Sequence, residues 1–181
     1  MALSATIFKA TLQISDMDRG YYAEHLLTLA RHPSETDERM MVRMLAFALH
    51  AGEQLSFTKG LCADEEPDLW QISLSNEIEL WIDVGLPEER RLRKACSRAQ
   101  QVALYSYGGR GADIWWQKNC DKLQRFANLS VIELPEASSR ELAKLAERNM
   151  QLQCTIQDGE IWLNSGAQSC SISPLVRKLR D

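Results

Sequence analysis

Apolar and polar positions partly alternate over residues 6–14, Thr-Ile-Phe-Lys-Ala-Thr-Leu-Gln-Ile, which is the period of a strand with one buried face. The polar run Asp16-Met17-Asp18-Arg19-Gly20 reads as a turn, and residues 21–30 as the returning strand, although their leucines also suit a helix. At Ser34-Glu35-Thr36-Asp37 the period lengthens: Ser and Thr cap helix starts, and acids suit the first turn. Met40, Met41, Met44, Leu45, Ala48 and Leu49 then form one buried stripe that stops at Ala51-Gly52, so the methionines read as core filling. Three strands follow, at 54–58, 69–74 and 78–84. A hairpin centred on Ser75-Asn76 sets Asp68 opposite Asp83 and Trp70 opposite Trp81 on one face; a one-residue slip would reverse this.

Pro87, Glu88 and Glu89 suit the first turn of a helix whose buried face is Leu92, Ala95, Cys96 and Ala99. That helix stops near Gln101, because residues 102–107 read as a strand. A helix over 112–126, a strand over 130–134 and a helix over 138–148 come next. Residues 152–156 and 161–163 flank Asp158-Gly159, the strongest hairpin signal in the chain. The pattern predicts an α/β fold: a mixed sheet with flanking helices and an added antiparallel hairpin.

Composition narrows the function classes. With 181 residues, 45% hydrophobic and 25% charged, the chain is expected to form a single domain over 1–181. No apolar run approaches the ~18 residues that cross a bilayer, and the first residues lack a secretory pattern, so no membrane partner and a cytoplasmic location are expected. Five scattered cysteines with no C-x-x-C pair predict reduced structural thiols, and the histidines His25, His32 and His50 have no metal-ligand spacing. His32 beside Pro33 reads as a residue that shapes the loop before the helix. The net charge of −4 argues against a nucleic-acid coat protein, yet leaves room for a local basic patch. There is no G-x-S-x-G elbow, and Tyr107-Gly108-Gly109-Arg110-Gly111 lacks the P-loop lysine; it reads as a strand-to-helix turn whose backbone can approach a phosphate.

The chemistry concentrates between residues 38 and 98. Hydrolysing a phosphodiester requires acids that converge on Mg²⁺ and a cation near the phosphate. Glu38 opens a helix, Asp68 begins a strand, Asp83 lies near the end of the next strand, and Lys94 sits on the helix that follows. This order resembles the PD-(D/E)XK nuclease superfamily, with Gly85 standing where the motif lysine is expected and Lys94 as a displaced substitute. A broader resemblance runs through Leu29-Ala30-Arg31-His32-Pro33-Ser34-Glu35-Thr36, Arg39-Met40-Met41, Gly60-Leu61-Cys62-Ala63, Leu80-Trp81-Ile82, Gly85-Leu86-Pro87, Arg90-Arg91, Phe126-Ala127-Asn128-Leu129-Ser130-Val131 and Thr155-Ile156-Gln157-Asp158-Gly159. These segments are similar to the YaeQ family, a bacterial group with no assigned biochemical role. That resemblance implies a restriction-endonuclease-like core with a rearranged active-site signature. It implies Asp68 and Asp83 as metal ligands, Glu38 as an accessory acid, and Mg²⁺ as the cofactor of a phosphodiesterase or nuclease.

Each residue also has a plainer reading. Glu38 favours a helix N-terminus, Asp64-Glu65-Glu66-Pro67-Asp68 suits a solvated loop, and Asp83 can be satisfied by an arginine such as Arg90. Glu79 replaces Asp83 if the register differs. Arg90, Lys94 and Arg98, at i, i+4 and i+8, form a basic line that suits phosphate contacts to nucleic acid or a solvated helix face. Trp115 and Trp116 cannot share a helix face, so at least one belongs to the core. The alternative function is therefore a non-catalytic binding or regulatory protein on a nuclease-like fold, contacting nucleic acid or another protein through this helix.

Overall fold

The computed structural model describes residues 4–59, 65–166 and 168–181. Their order is β1(Thr6–Asp16), β2(Tyr21–Arg31), α1(Asp37–His50), β3(Leu55–Phe57), β4(Leu69–Ile72), β5(Ile78–Val84), α2(Glu89–Arg98), β6(Ala99–Ser106), α3(Arg110–Leu123), β7(Leu129–Glu133), α4(Glu136–Ala143), β8(Asn149–Gln157), β9(Glu160–Ser165), β10(Gln168–Ile172) and β11(Leu175–Lys178). The strands form two mixed sheets, ordered β10-β9-β8-β1-β2 and β11-β7-β6-β5-β4-β3.

The expectation of one mixed sheet with an added hairpin is thus corrected to two sheets. The Asp158-Gly159 hairpin does form, with both residues at positive φ, but β8 runs parallel to β1 and joins the hairpin to the N-terminal strands. Asp18 ties the two tips together by accepting from the N–H groups of Asp158 at 2.7 Å and Gly159 at 2.9 Å.

Helix α1 lies between the sheets. Thr36 caps it by accepting from Arg39 N–H, and Met40, Met41, Val42, Met44, Leu45 and Ala46 have no exposed surface. These residues join side chains from both sheets and from α4 in one core. A second core lies on the opposite face of the six-stranded sheet, where Trp81, Val102, Leu104 and Val131 meet Leu92 and Ala95 of α2 and Leu123 of α3. Trp115 and Trp116 both pack against that core partly buried, and Trp115 donates to Pro87 O. The resulting order is sheet, α1 and α4, sheet, then α2 and α3. Among the described residues no helix packs over the outer face of the five-stranded sheet.

Several boundaries differ from the pattern reading. Helix α4 is short because residues 149–157 alternate into the core as a strand, with Met150, Leu152, Cys154 and Ile156 buried. Ala99 opens β6 instead of extending α2, and Pro87 precedes the N-cap Glu88 rather than entering the helix. Strands β10 and β11 were not anticipated. The glycine run does turn a strand into a helix, with Gly108 at φ 113° and Gly109 at φ 58°. A Cβ on Gly109 would come within 2.3 Å of Glu136 Oε2, so a carboxylate occupies the backbone approach where a phosphate was considered.

Among the described residues Cys96, Cys120, Cys154 and Cys170 are free; Cys62 lies outside them. Burial pushes the Cys154 thiol up to about 12 and those of Cys96 and Cys170 up to about 11, which keeps them protonated and unreactive at neutral pH. No helix among the described residues is long and apolar enough to cross a membrane.

Candidate functional site

The sequence-derived register holds where the candidate acids lie. Leu69 pairs with Ile82, Trp70 with Trp81 and Gln71 with Leu80, and Asp68 N–H donates to Ile82 O at 2.9 Å. Asp68 and Asp83 therefore stand opposite one another at the end of the β4–β5 ribbon. Nearer the turn the register shifts between Gln71 and Ile72. The tip is a longer loop closed by Ser73 N–H to Glu77 O, with Asn76 at φ 67°, instead of a two-residue turn.

Both acids are buried, Asp68 at 3% and Asp83 at 2% exposure, and each has an arginine. Arg91, in the first turn of α2, holds Asp83 with both prongs, Nε to Oδ2 at 2.8 Å and Nη2 to Oδ1 at 2.9 Å. Its Nη2 also donates to Glu66 O at 2.8 Å. The anticipated partner Arg90 is not the one used, because Arg91 is the side chain that α2 turns toward β5. Burial pulls the Arg91 guanidinium down, but the hydrogen bond and charge of Asp83 outweigh it and leave its pKa raised.

Asp68 accepts from Val84 N–H at 2.8 Å and from Arg39 Nη2 at 3.0 Å. Arg39 joins it to a second cluster: its Nη1 donates to Glu35 at 2.9 Å, and Glu35 also receives Arg43 Nε at 2.8 Å and Nη2 at 2.7 Å. Burial pushes the Asp68 carboxyl above its ordinary value; Arg39 opposes that shift, and the charge of Asp83 adds to it.

The other expected residues lie elsewhere. Glu38 accepts from Ser139 Oγ at 2.7 Å and so ties α1 to α4. Lys94 pairs with Glu65 at 2.5 Å, which also pairs with Arg98 at 3.4 Å. Glu79 accepts from Gln71 at 2.6 Å. His32 Nδ1 accepts from Ser34 N–H at 3.1 Å, a loop-shaping role. Asp64 lies outside the described residues. Gly85 has a conformational reason to replace a lysine: it turns the chain out of β5 at φ 109°, where side-chain-bearing residues are strained.

A Mg²⁺ ion requires about six oxygens in near-octahedral geometry at ~2.1 Å. The acids do not fit that requirement as arranged. Both Asp83 oxygens are taken by Arg91, the cationic Arg39 lies on Asp68, and no group of three His, Cys, Asp or Glu among the described residues is placed to hold a metal. Among the described residues a depression of about 430 Å³ is lined by Arg91 together with Glu65, Glu88, Arg90 and Lys94.

Sequence reading missed Arg39, Arg43, Glu35 and Arg91. The signal was present in Glu35, Arg39 and Arg43 at i, i+4 and i+8, with Arg43 set among Met40, Met41, Met44 and Leu45. A charge inside an apolar stripe implies a buried counter-charge.

Comparison with known proteins identifies the lineage. The YaeQ proteins of Escherichia coli K12 and Salmonella typhi are 51% and 50% identical to this chain, over 96% and 95% of both lengths. The crystal structure of the YaeQ protein from Xanthomonas axonopodis pv. citri superposes with a TM-score of 0.94 at 49% identity, covering 97% of this chain and 99% of that one. That from Pseudomonas syringae gives 0.93 at 32% identity, over 97% of each. The family profile described as "YaeQ protein" matches residues 1–174, and this chain belongs to the YaeQ family.

Proposed function

We propose that this chain is a binding protein that grips a nucleic-acid backbone along α2 and performs no metal-dependent hydrolysis, on a restriction-endonuclease-like arrangement of strands and helices. The supporting observation is the two-pronged Arg91–Asp83 pair. It puts a fixed guanidinium where a nuclease would need a divalent cation. Arg90, Lys94 and Arg98 lie along the same helix, and Glu65 acts as an internal stand-in for phosphate on Lys94 and Arg98. Three phosphate contacts give weak, sequence-independent binding whose logarithm falls with log salt at a slope of about −3.

The test is fluorescence anisotropy with mixed-sequence single- and double-stranded DNA and RNA, followed by incubation with Mg²⁺ or Mn²⁺. Salt-dependent binding that is reduced in an Arg90→Ala/Lys94→Ala/Arg98→Ala variant, with no cleavage, supports the proposal. The opposition of Asp68 and Asp83 favours one second reading, a nuclease whose metal displaces Arg91. Metal-dependent cleavage that disappears in Asp83→Asn would establish that reading and sink the first. Neither binding nor cleavage by folded protein would remove both.

A further inference from the structure

Strand β2 is one edge of the five-stranded sheet, and along most of its length it lacks the devices that stop an edge from pairing, with Glu24 the one acid on it and Arg43 covering only its end. Tyr21–Arg31 runs eleven residues in unbroken register with β1, without a proline, a lysine or a bulge. The outer edge of the same sheet, β10, is five residues long and mostly polar.

The ladder shows which backbone groups of β2 have no strand partner among the described residues. Lys9 N–H donates to Arg148 O and Met17 N–H to Ile156 O, so the odd positions of β1 face β8 and the even positions face β2. Phe8 pairs with Leu29, Ala10 with Leu27, Leu12 with His25 and Ile14 with Ala23. The odd positions of β2 answer them. The N–H and C=O groups of Tyr22, Glu24, Leu26 and Thr28 therefore point to the open side. Arg43 marks the same side by donating to Ala30 O at 3.1 Å, and it closes the end of the row. The side chains of these even positions stand on the uncovered face of the sheet, where Leu26 is 81% and Tyr22 63% exposed.

We propose that β2 pairs antiparallel with β2 of a second copy of this chain about a two-fold axis at Leu26, joining two five-stranded sheets into one. At that register the free groups of Leu26 meet those of the partner's Leu26, and Glu24 meets the partner's Thr28. Every donor in residues 24–28 then finds an acceptor. Glu24 is the one acid on the strand, and this register sets it against a neutral hydroxyl. A two-fold axis at Glu24 would set two carboxylates face to face, and one at Thr28 would place Leu26 itself opposite the partner's Ala30, whose carbonyl Arg43 already occupies; with the axis at Leu26 only the outermost pair, Tyr22 with the partner's Ala30, meets that carbonyl and lies outside the paired residues 24–28. The pairing also covers Leu26 with its own mate, and a two-fold contact closes on itself without running on into a fibre.

Sedimentation velocity of the full chain at about 1 to 100 µM, spanning the usual affinity of a modest interface, reads the dimer directly. Leu26→Pro removes an N–H that faces outward and breaks no bond to β1. It is expected to yield a folded monomer by circular dichroism and mass. Thr28→Glu sets a second carboxylate against Glu24 at two symmetry-related places and is expected to weaken the dimer about tenfold. Adding Glu24→Lys to Thr28→Glu restores attraction and the dimer. A wild type that stays monomeric at about 100 µM would overturn the proposal, whatever other partner occupied the edge. So would a dimer unaffected by Leu26→Pro, or a double variant no tighter than Thr28→Glu.

Discussion

Helices α1 and α2 carry similar lines of charge with opposite fates. Glu35, just ahead of the N-cap Thr36, and Arg39 and Arg43 of α1 are spaced four apart, as are Arg90, Lys94 and Arg98 on α2. The first line is enclosed between two sheets, and its charges are consumed there: Arg43 and Glu35 are both almost fully buried, and Arg39 spans Glu35 and Asp68. The second line faces outward, and its only acidic partner along Lys94 and Arg98 among the described residues is Glu65, itself largely exposed. Helical spacing specifies a shared face. Whether that face is structural or available depends on what packs over it. Arg91 stands between the two regimes, since its side chain is 32% exposed while the carboxylate it grips is buried.

If the α1 line is structural, breaking it should cost most. Glu35→Gln leaves Arg43 buried without its counter-charge and weakens the tie to Arg39; the expected loss is about 3–5 kcal/mol by urea unfolding, the range for a buried pair deprived of one member. A loss under about 1 kcal/mol would mean that water reaches the cluster and that the contrast between the helices is false.

The inner layer should also set the acid response. His50, at the C-terminal end of α1, shares a 2.6 Å hydrogen bond with Tyr105. Burial, with the charges of Arg19 and Arg180, lowers its pKa to about 4 from the ordinary 6.5. Above about pH 6.5 the ring is neutral whether the chain is folded or not, and stability is full. As pH falls toward 4 only the unfolded chain takes up the proton, so stability drops by about 3 kcal/mol across that window. Asp68 works in the opposite direction, because its raised folded pKa lets the folded chain bind a proton before the unfolded one does. His50→Gln isolates the histidine: the gap between wild-type and variant unfolding free energies should change across pH 4 to 6.5, and a constant gap would refute the assignment.

The elements that set up this contrast were legible to different degrees. The stripe of α1 and the register at Trp70 and Trp81 follow from local periodicity and one hairpin, and both were readable. The partition into two sheets was not, because the parallel pairing of Leu12 with Leu152 joins strands far apart in sequence and no local pattern encodes it. The same limit hid the site. Asp83 was recognisable as an acid in a buried strand, but choosing Arg91 over Arg90 depends on the angle at which α2 returns to β5 after Gly85. For the same reason the pattern did not reveal the Lys94–Glu65 pair that accompanies the Arg91–Asp83 one.

Asp83→Asn tests the intermediate position of Arg91. The amide keeps the size of the side chain and forfeits the charge, while the half-exposed guanidinium can turn to water. The expected loss is about 1–3 kcal/mol, smaller than for Glu35→Gln. Equal losses would place Arg91 with the structural arginines and remove the basis for treating the α2 face as available.

The smallest effect on stability is also the most informative about function. Glu65 is solvent-exposed, and its carboxyl is held below the ordinary range mainly by its hydrogen bond from Lys94. Glu65→Gln should leave the urea midpoint unchanged, because an exposed pair contributes little to folding. The same substitution unmasks Lys94 and Arg98, and a polyanion that previously competed with Glu65 then meets no rival. Binding of mixed-sequence nucleic acid should tighten severalfold at low salt, with the gain fading at high salt as exposed charges are screened. Unchanged affinity at low salt would mean that this line of cations is only a solvated helix face, and that the outward fate of α2 carries no binding function.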